Sequence, residues 1–413
     1  MSTSLPTSTE ATVHPSLYLV LILPFGAVTG YLSVALAYAL AQSGMSVARI
    51  GALTAIFFLP QAWKFLWAPI VDTTLTRKRW YFIGASMTAV GVLMLSVFST
   101  HDTTFLVLTT FAVVASIAVT FLGMAVESLV AYGTTPEQKG RAGGWLQAGN
   151  LGGGGLGGGA ALWLMQQVSQ PWITGAALAA CFMLCCLPLV FVADASSLPL
   201  EHGVIGRVSA VLKDIWNILR QRGGYLALLV VFLPIGTGAA QAYWSPLADE
   251  WHASANVVAL INGAVGGVVA AFGCLVGGYI CDHFNRKFCY IGFGLTLALC
   301  AVAMGLSPRN ATTYVTYTIL YGFGNGLCYA GFSAVTLEAI GHGAAATKYN
   351  VFASLSNMPI TYMIAVEGWT QSRWGSSTML FLEAALGVIS AVSFTTVSLL
   401  SNRQVASPQV EAA

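Results

Sequence analysis

Charged side chains lie inside long apolar runs, among them Lys64, Glu127, Glu338, Glu367 and Glu383. Charge at such positions is expensive, and where it persists it marks a substrate or ion path, a proton relay or a gate. Asp72, Glu127 and Arg141 fall near the ends of three such runs, and Asp282, Glu338 and Lys348 fall at matching places later in the chain, with Arg286 beside Asp282. As ion pairs, these groups could close one end of a cavity and break when it opens. The plainer reading is anchoring at a membrane interface.

Lys64 lies about two turns before Asp72, roughly 12 Å deeper by helical rise. It could snorkel to the interface, pair with a carboxylate, or attract an anionic solute. Glu383 lies early in the last apolar run and Glu367 near the end of the one before it. Either could couple a solute to protons, or could face water at the outer rim.

These residues need spans to position them. Hydrophobic residues make up 56% of the 413-residue chain and charged residues 8%, against about 25% charged in a soluble domain. Lipid tails, unlike water, solvate such a surface. Twelve runs reach the ~20 residues a spanning helix needs: 17–41, 46–69, 80–99, 104–131, 143–165, 172–193, 224–247, 255–280, 288–306, 312–340, 348–369 and 376–400. The first is too long for a signal-peptide core and is read as a retained helix.

The expected fold is an all-α integral membrane protein with twelve transmembrane helices in two pseudo-symmetric six-helix bundles. Its parts are an N-terminal tail (1–16), a first bundle (17–193), a central loop (194–223), a second bundle (224–400) and a C-terminal tail (401–413). In the loop, Ile205, Val208, Val211, Leu212 and Ile215 alternate with Arg207, Lys213 and Arg220. That pattern suits either an interfacial helix over 204–219 or a solvated linker.

Of the 17 Lys and Arg, one alternating set of loops and the C-terminal tail holds Arg77, Lys78, Arg79, Lys139, Arg141, Arg207, Lys213, Arg220, Arg222, Arg286, Lys287, Lys348 and Arg403. Only Arg49, Arg309 and Arg373 lie on the other set. The positive-inside rule therefore places both termini and the central loop in the cytoplasm of a cell (inner) membrane.

The halves repeat. Ala68-Pro-Ile-Val-Asp72 precedes Arg77-Lys78-Arg79, and Gly278-Tyr-Ile-Cys-Asp282 precedes Arg286-Lys287. Arg141 is followed nine residues later by Asn150, as Lys348 is by Asn357. Two parallel six-helix repeats around a midplane site resemble the major facilitator superfamily. The Gly278, Asp282, Arg286 and Lys287 element is similar to that family's loop motif, and the first copy departs from it at Ala68 and Thr73. Lys64-Phe-Leu-Trp-Ala-Pro69 followed by Asp72 resembles the second-helix signature of AmpG-type muropeptide permeases and their relatives. Lys139-Gly-Arg-Ala-Gly143, the 346–357 segment, Gly368-Trp369 and Trp374-Gly375 resemble the same branch. The best-known muropeptide permeases carry two more spans than this chain.

The resemblance implies a polar cavity lined mainly by helices one, four, seven and ten. Its candidates are Tyr31, Gln241, Tyr243, Tyr321 and Asn325, with Gln147, Asn150, Asn262 and Asn357 from flanking helices. These amides and phenols either bind a hydrogen-bonding solute or join helix to helix. The glycines of 152–159 lack the Lys-Ser/Thr of a phosphate loop. With Gly263, Gly266, Gly267, Gly273, Gly277 and Gly278 they suit close packing of helices five and eight.

An enzyme is not expected, because His14, His101, His202, His252, His283 and His342 all fall in loops or the tail. The eight cysteines lie mostly in apolar runs without ligand partners, so neither a metal nor a cofactor is expected. No basic run suggests nucleic acid. The expected function is secondary active transport by alternating access, with protons and a polar organic solute such as an anhydromuropeptide as partners and a monomer as the working unit. A siderophore importer, a drug or metabolite exporter, and a non-transporting membrane sensor are the alternatives.

Overall fold

A computed structural model of the chain describes residues 14–45, 47–99, 105–192, 209, 213, 216, 220, 231–340 and 345–406. The described residues form an all-helical protein. Its first half contains α1 (Ser16–Gly30), continued through a π-helical turn (Tyr31–Leu36) into α2 (Ala37–Gln42), then α3 (Val47–Trp63), α4 (Ala68–Thr73), α5 (Arg77–Phe98), α6 (Phe105–Gly133), α7 (Lys139–Gln167) and α8 (Pro171–Leu184). The second half contains α9 (Trp244–Leu247), α10 (Ala255–Leu260), α11 (Gly266–His283), α12 (Arg286–Leu306), α13 (Ala311–Ile340), α14 (Ala345–Leu355), α15 (Asn357–Trp374) and α16 (Ser376–Ala406).

Seven helices among the described residues are long and apolar enough to cross a membrane. Large apolar side chains such as Leu106, Val190, Leu299 and Leu306 point outward from the protein, as lipid-facing residues do. The remaining expected spans are glycine-rich or broken. The second breaks at Lys64–Leu66, which form a 3-10 turn between α3 and α4. Pro69 has no N–H to continue the α ladder there. The seventh is not a continuous helix over 224–247. Its described part breaks at 233–238, where Pro234 is followed by Gly236 and Gly238 at φ +60° and +69°. Left-handed backbone of this kind favours glycine. The eleventh kinks at Ser356. Within 204–219 only Ser209, Lys213 and Trp216 are described, helical and exposed; the rest of that stretch lies outside the described residues.

The repeated Asp-basic elements share a local cause. Thr76 caps α5 by accepting from the Arg79 N–H, and Asn285 caps α12 by accepting from the Lys287 and Phe288 N–H groups. Side-chain caps of this type fix a helix start, so each basic cluster opens a helix just past its turn.

α7 and α11 join the two halves. A β-carbon on Gly278 would lie 2.7 Å from the Gly140 carbonyl oxygen and 2.8 Å from the Gly144 Cα. One on Gly155 would lie 2.8 Å from the Gly267 Cα. Gly278→Val is therefore expected to destabilise the protein by about 1–3 kcal/mol through overpacking, measured as thermal denaturation in detergent. Gly292→Ala, in the interior of α12 with open space around it, is expected to be neutral or slightly stabilising.

Candidate functional site

The break between α3 and α4 turns Lys64 inward. Its Nζ donates to Glu127 Oε1 at 3.0 Å and to Oε2 at 3.3 Å. Both side chains are buried, and the Phe25 ring lies 5.7 Å from the ammonium. The pair lines a cavity of about 300 Å3 between the halves, together with Thr29, Gln61, Gln147, Asn150, Thr237, Tyr290, Tyr349 and Asn357. The unwound 233–238 segment forms part of its wall through Leu233, Ile235, Gly236 and Thr237. Irregular backbone at such depth is tolerated where it lines a cavity.

A hydrogen-bonded chain crosses from one half to the other beside this cavity. Asn150 Nδ2 donates to Gln147 Oε1 at 3.1 Å, and Gln147 Nε2 donates to Ser333 Oγ at 2.9 Å. Ser333 Oγ lies 2.9 Å from Tyr349 Oη. The Gln61 Nε2 group is buried without a hydrogen-bond acceptor. A second recess of about 390 Å3 shares Thr29, Asn150 and Leu151 with the first and is also lined by Gln241, Asn262, Thr318 and Asn325. There Asn325 Nδ2 donates to Gln241 Oε1 at 3.2 Å, and Asn262 Nδ2 donates to Tyr314 Oη at 3.0 Å.

A charged cluster also joins the two halves. α7 has no side-chain cap of its own. Asp282 from the other half takes that place, accepting from the Gly140 N–H at 2.6 Å, the Arg141 N–H at 3.0 Å and Arg141 Nε at 2.7 Å. A carboxylate at a helix N-terminus also meets the positive end of the helix dipole. Arg286 Nη1 reaches Glu338 at 3.0 Å and its Nη2 donates to the Pro136 carbonyl, while Lys139 Nζ donates to the Leu337 carbonyl at 2.7 Å.

Several expected roles change. Glu127 does not join Arg141 in a closing set; it pairs with Lys64 inside the cavity. α6 runs on to Gly133, which sets Glu127 roughly 9 Å in from the helix end. Tyr31 does not line the cavity and is fully buried in the core of the first half. Phe25 and Thr29 share the cavity face of α1, and two residues past Thr29 the helix has turned about 200°. Tyr243 donates instead to the Ile364 carbonyl of α15. Tyr321 donates to Glu383 and itself lines neither cavity. Glu367 is not at a wet rim; it is 0% exposed. The side chains of Asp72 and Lys348 lie outside the described residues.

Gln147, Asn150 and Asn357 do line the cavity, and Gln241, Asn262 and Asn325 the recess. Gln61, Thr29 and Ser333 were not expected. Gln61 could have been found from its spacing, three residues before Lys64 on the same helix face. Ser333 carried no such signal.

The sequence model of the Major Facilitator Superfamily matches residues 18–361. The chain belongs to the major facilitator superfamily. Membership makes it a membrane transporter for small molecules rather than an enzyme. Among solved structures of similar fold, the human organic anion transporter MFSD10 (TETRAN) is 15% identical, with a TM-score of 0.68 over 92% of this chain and 98% of that one. The E. coli fucose:proton symporter FucP is 14% identical, with a TM-score of 0.72 over 94% and 99%. The proton:xylose symporter XylE is 15% identical, with a TM-score of 0.63 over 91% and 94%. In this superfamily transporter, residues of both halves line the cavity, and Asp282 of the second half bonds the start of α7 in the first.

Proposed function

We propose that this transporter is a proton-coupled importer that takes a polar organic solute, such as an anhydromuropeptide, through the cell (inner) membrane by alternating access. The carrying observation is the buried Lys64–Glu127 pair in a cavity shared by both halves and ringed with amides. A sugar–peptide offers hydroxyl and amide groups to Gln61, Gln147, Asn150 and Asn357, a carboxylate to Lys64 and an amine to Glu127. The resemblance of Lys64-Phe-Leu-Trp-Ala-Pro69 to muropeptide permeases supports that cargo. Two of the similar structures are sugar–proton symporters and one carries organic anions, which supports a polar solute moved with protons.

In this reading the chain has twelve spans in two six-helix bundles (17–193 and 224–400) joined by the 194–223 loop. Its termini are cytoplasmic, it works as a monomer, and the Asp282 latch is a cytoplasmic gate. The closed latch beside a central cavity fits the outward-facing or occluded stage of the cycle.

Uptake of labelled anhydromuropeptide by cells lacking their own permease tests the assignment. Accumulation that a protonophore abolishes is the expected result. A well-expressed protein that accumulates none contradicts the muropeptide cargo, and accumulation indifferent to the protonophore contradicts the proton coupling.

A further inference from the structure

Two buried carboxyl groups lie inside the second half and line neither the Lys64 cavity nor the second recess. Glu383 on α16 is 8% exposed and accepts from Tyr321 Oη of α13. Its second oxygen has no partner. Glu367 on α15 is 0% exposed, and neither of its oxygens is hydrogen-bonded. The two carboxyls lie within electrostatic reach of each other and of Tyr321. The other titratable groups facing them are Tyr243, Cys300 and Cys328. Among the described residues no Lys, Arg or His pairs with either carboxyl.

A carboxylate with neither water, hydrogen bond nor counter-charge does not persist as an anion in a low-dielectric interior. Two like charges sharing such a site do not both ionise. The hydrogen bonds sort the roles: Tyr321 donates to an anionic Glu383, and no hydrogen bond solvates an anionic Glu367. We infer that Glu367 and Glu383 form one proton-binding site, with the proton on Glu367 and the charge on Glu383 in this conformation.

The inference rests on the proton-coupled reading and gives that coupling a place distinct from the solute cavity. The Tyr321 ring packs edge-on against Trp244, with ring centroids 5.1 Å apart, so the Glu383–Tyr321 bond adjoins the segment that follows the break in helix seven. The 233–238 side of that break walls the cavity. When the proton moves to Glu383, Glu383 loses its charge and the charge-assisted hydrogen bond from Tyr321 weakens. Tyr321 is one helical turn from Asn325, which lines the second recess.

Infrared difference spectroscopy on the purified full chain in lipid nanodiscs, titrated through neutral to alkaline pH, reads the C=O stretch of protonated carboxyls. Wild type is expected to keep a protonated-carboxyl band at neutral pH, and Glu367→Gln to remove the intensity of one carboxyl. Glu383→Gln is expected to keep that band at a shifted frequency, because the neighbouring charge is gone. If Glu367→Gln does not fold, Glu383→Gln carries the test alone. A Glu367→Gln spectrum with the wild-type band, or a Glu383→Gln band unmoved in frequency, overturns the shared site. No solute takes part, so failure here is distinct from failure of the muropeptide assignment.

Discussion

Lys64→Met is expected to destabilise the transporter by about 3–5 kcal/mol and to abolish uptake, because it removes the buried ammonium that both Glu127 oxygens meet. The double variant Lys64→Met/Glu127→Met is expected to recover most of that stability and none of the uptake. Two desolvated charges roughly cancel their own attraction, so a matched apolar pair of similar volume costs little or even stabilises. The cavity would then lack the groups that recognise a charged solute. Chemical or thermal denaturation in detergent gives the stabilities, and labelled-solute uptake gives the activity. A double variant that transports at the wild-type rate would make the pair a structural feature rather than a binding one.

Asp282→Asn is expected to open the latched end. Asp282 accepts three hydrogen bonds from the first turn of α7, the Arg141 side chain among them. Hydrogen bonds to a charged group contribute about 1.5–3 kcal/mol each, and an amide keeps only part of this. Losing even 1.4 kcal/mol shifts the open-to-closed ratio about tenfold. Ser333 is fully buried at the junction of the halves, against Gly143. With the eight natural cysteines replaced, Ser333→Cys provides the probe. Asp282→Asn should raise its labelling by a hydrophilic maleimide at least tenfold. Unchanged labelling would mean that the glycine seam of α7 and α11, rather than the latch, holds this end shut.

Much of the latch was legible in the sequence. Asp282, Arg286 and Arg141 sit in a repeated pattern at the start or end of apolar runs, and short-range spacing is what a sequence displays. Which partner each one meets was not legible. Arg141 finds Asp282 across the halves, and Glu127 finds Lys64 across 63 positions; such pairings depend on helix rotation and packing. Tyr31 misled for the same reason, since a polar residue in an apolar run does not reveal its face until neighbours such as Phe25 and Thr29 fix it. The broken seventh helix did have a local signal in Pro234, Gly236 and Gly238, which apolar run length alone passed over. The deep burial of Glu367 had none, because burial depends on how helices pack around a position and not on its neighbours in sequence.

Spin-label distances across both ends of the protein in nanodiscs test alternating access most directly. Glu137 and Phe284 are exposed on opposite halves at the latched end, and Gln42 and Trp374 are exposed on opposite halves at the other. Cysteines at these pairs carry the labels. The expected result is two distance populations at each end, with Asp282→Asn lengthening the Glu137–Phe284 distance while it shortens the Gln42–Trp374 distance. A single distance at each end, the same in wild type and Asp282→Asn, would contradict a carrier that alternates around the Lys64–Glu127 cavity.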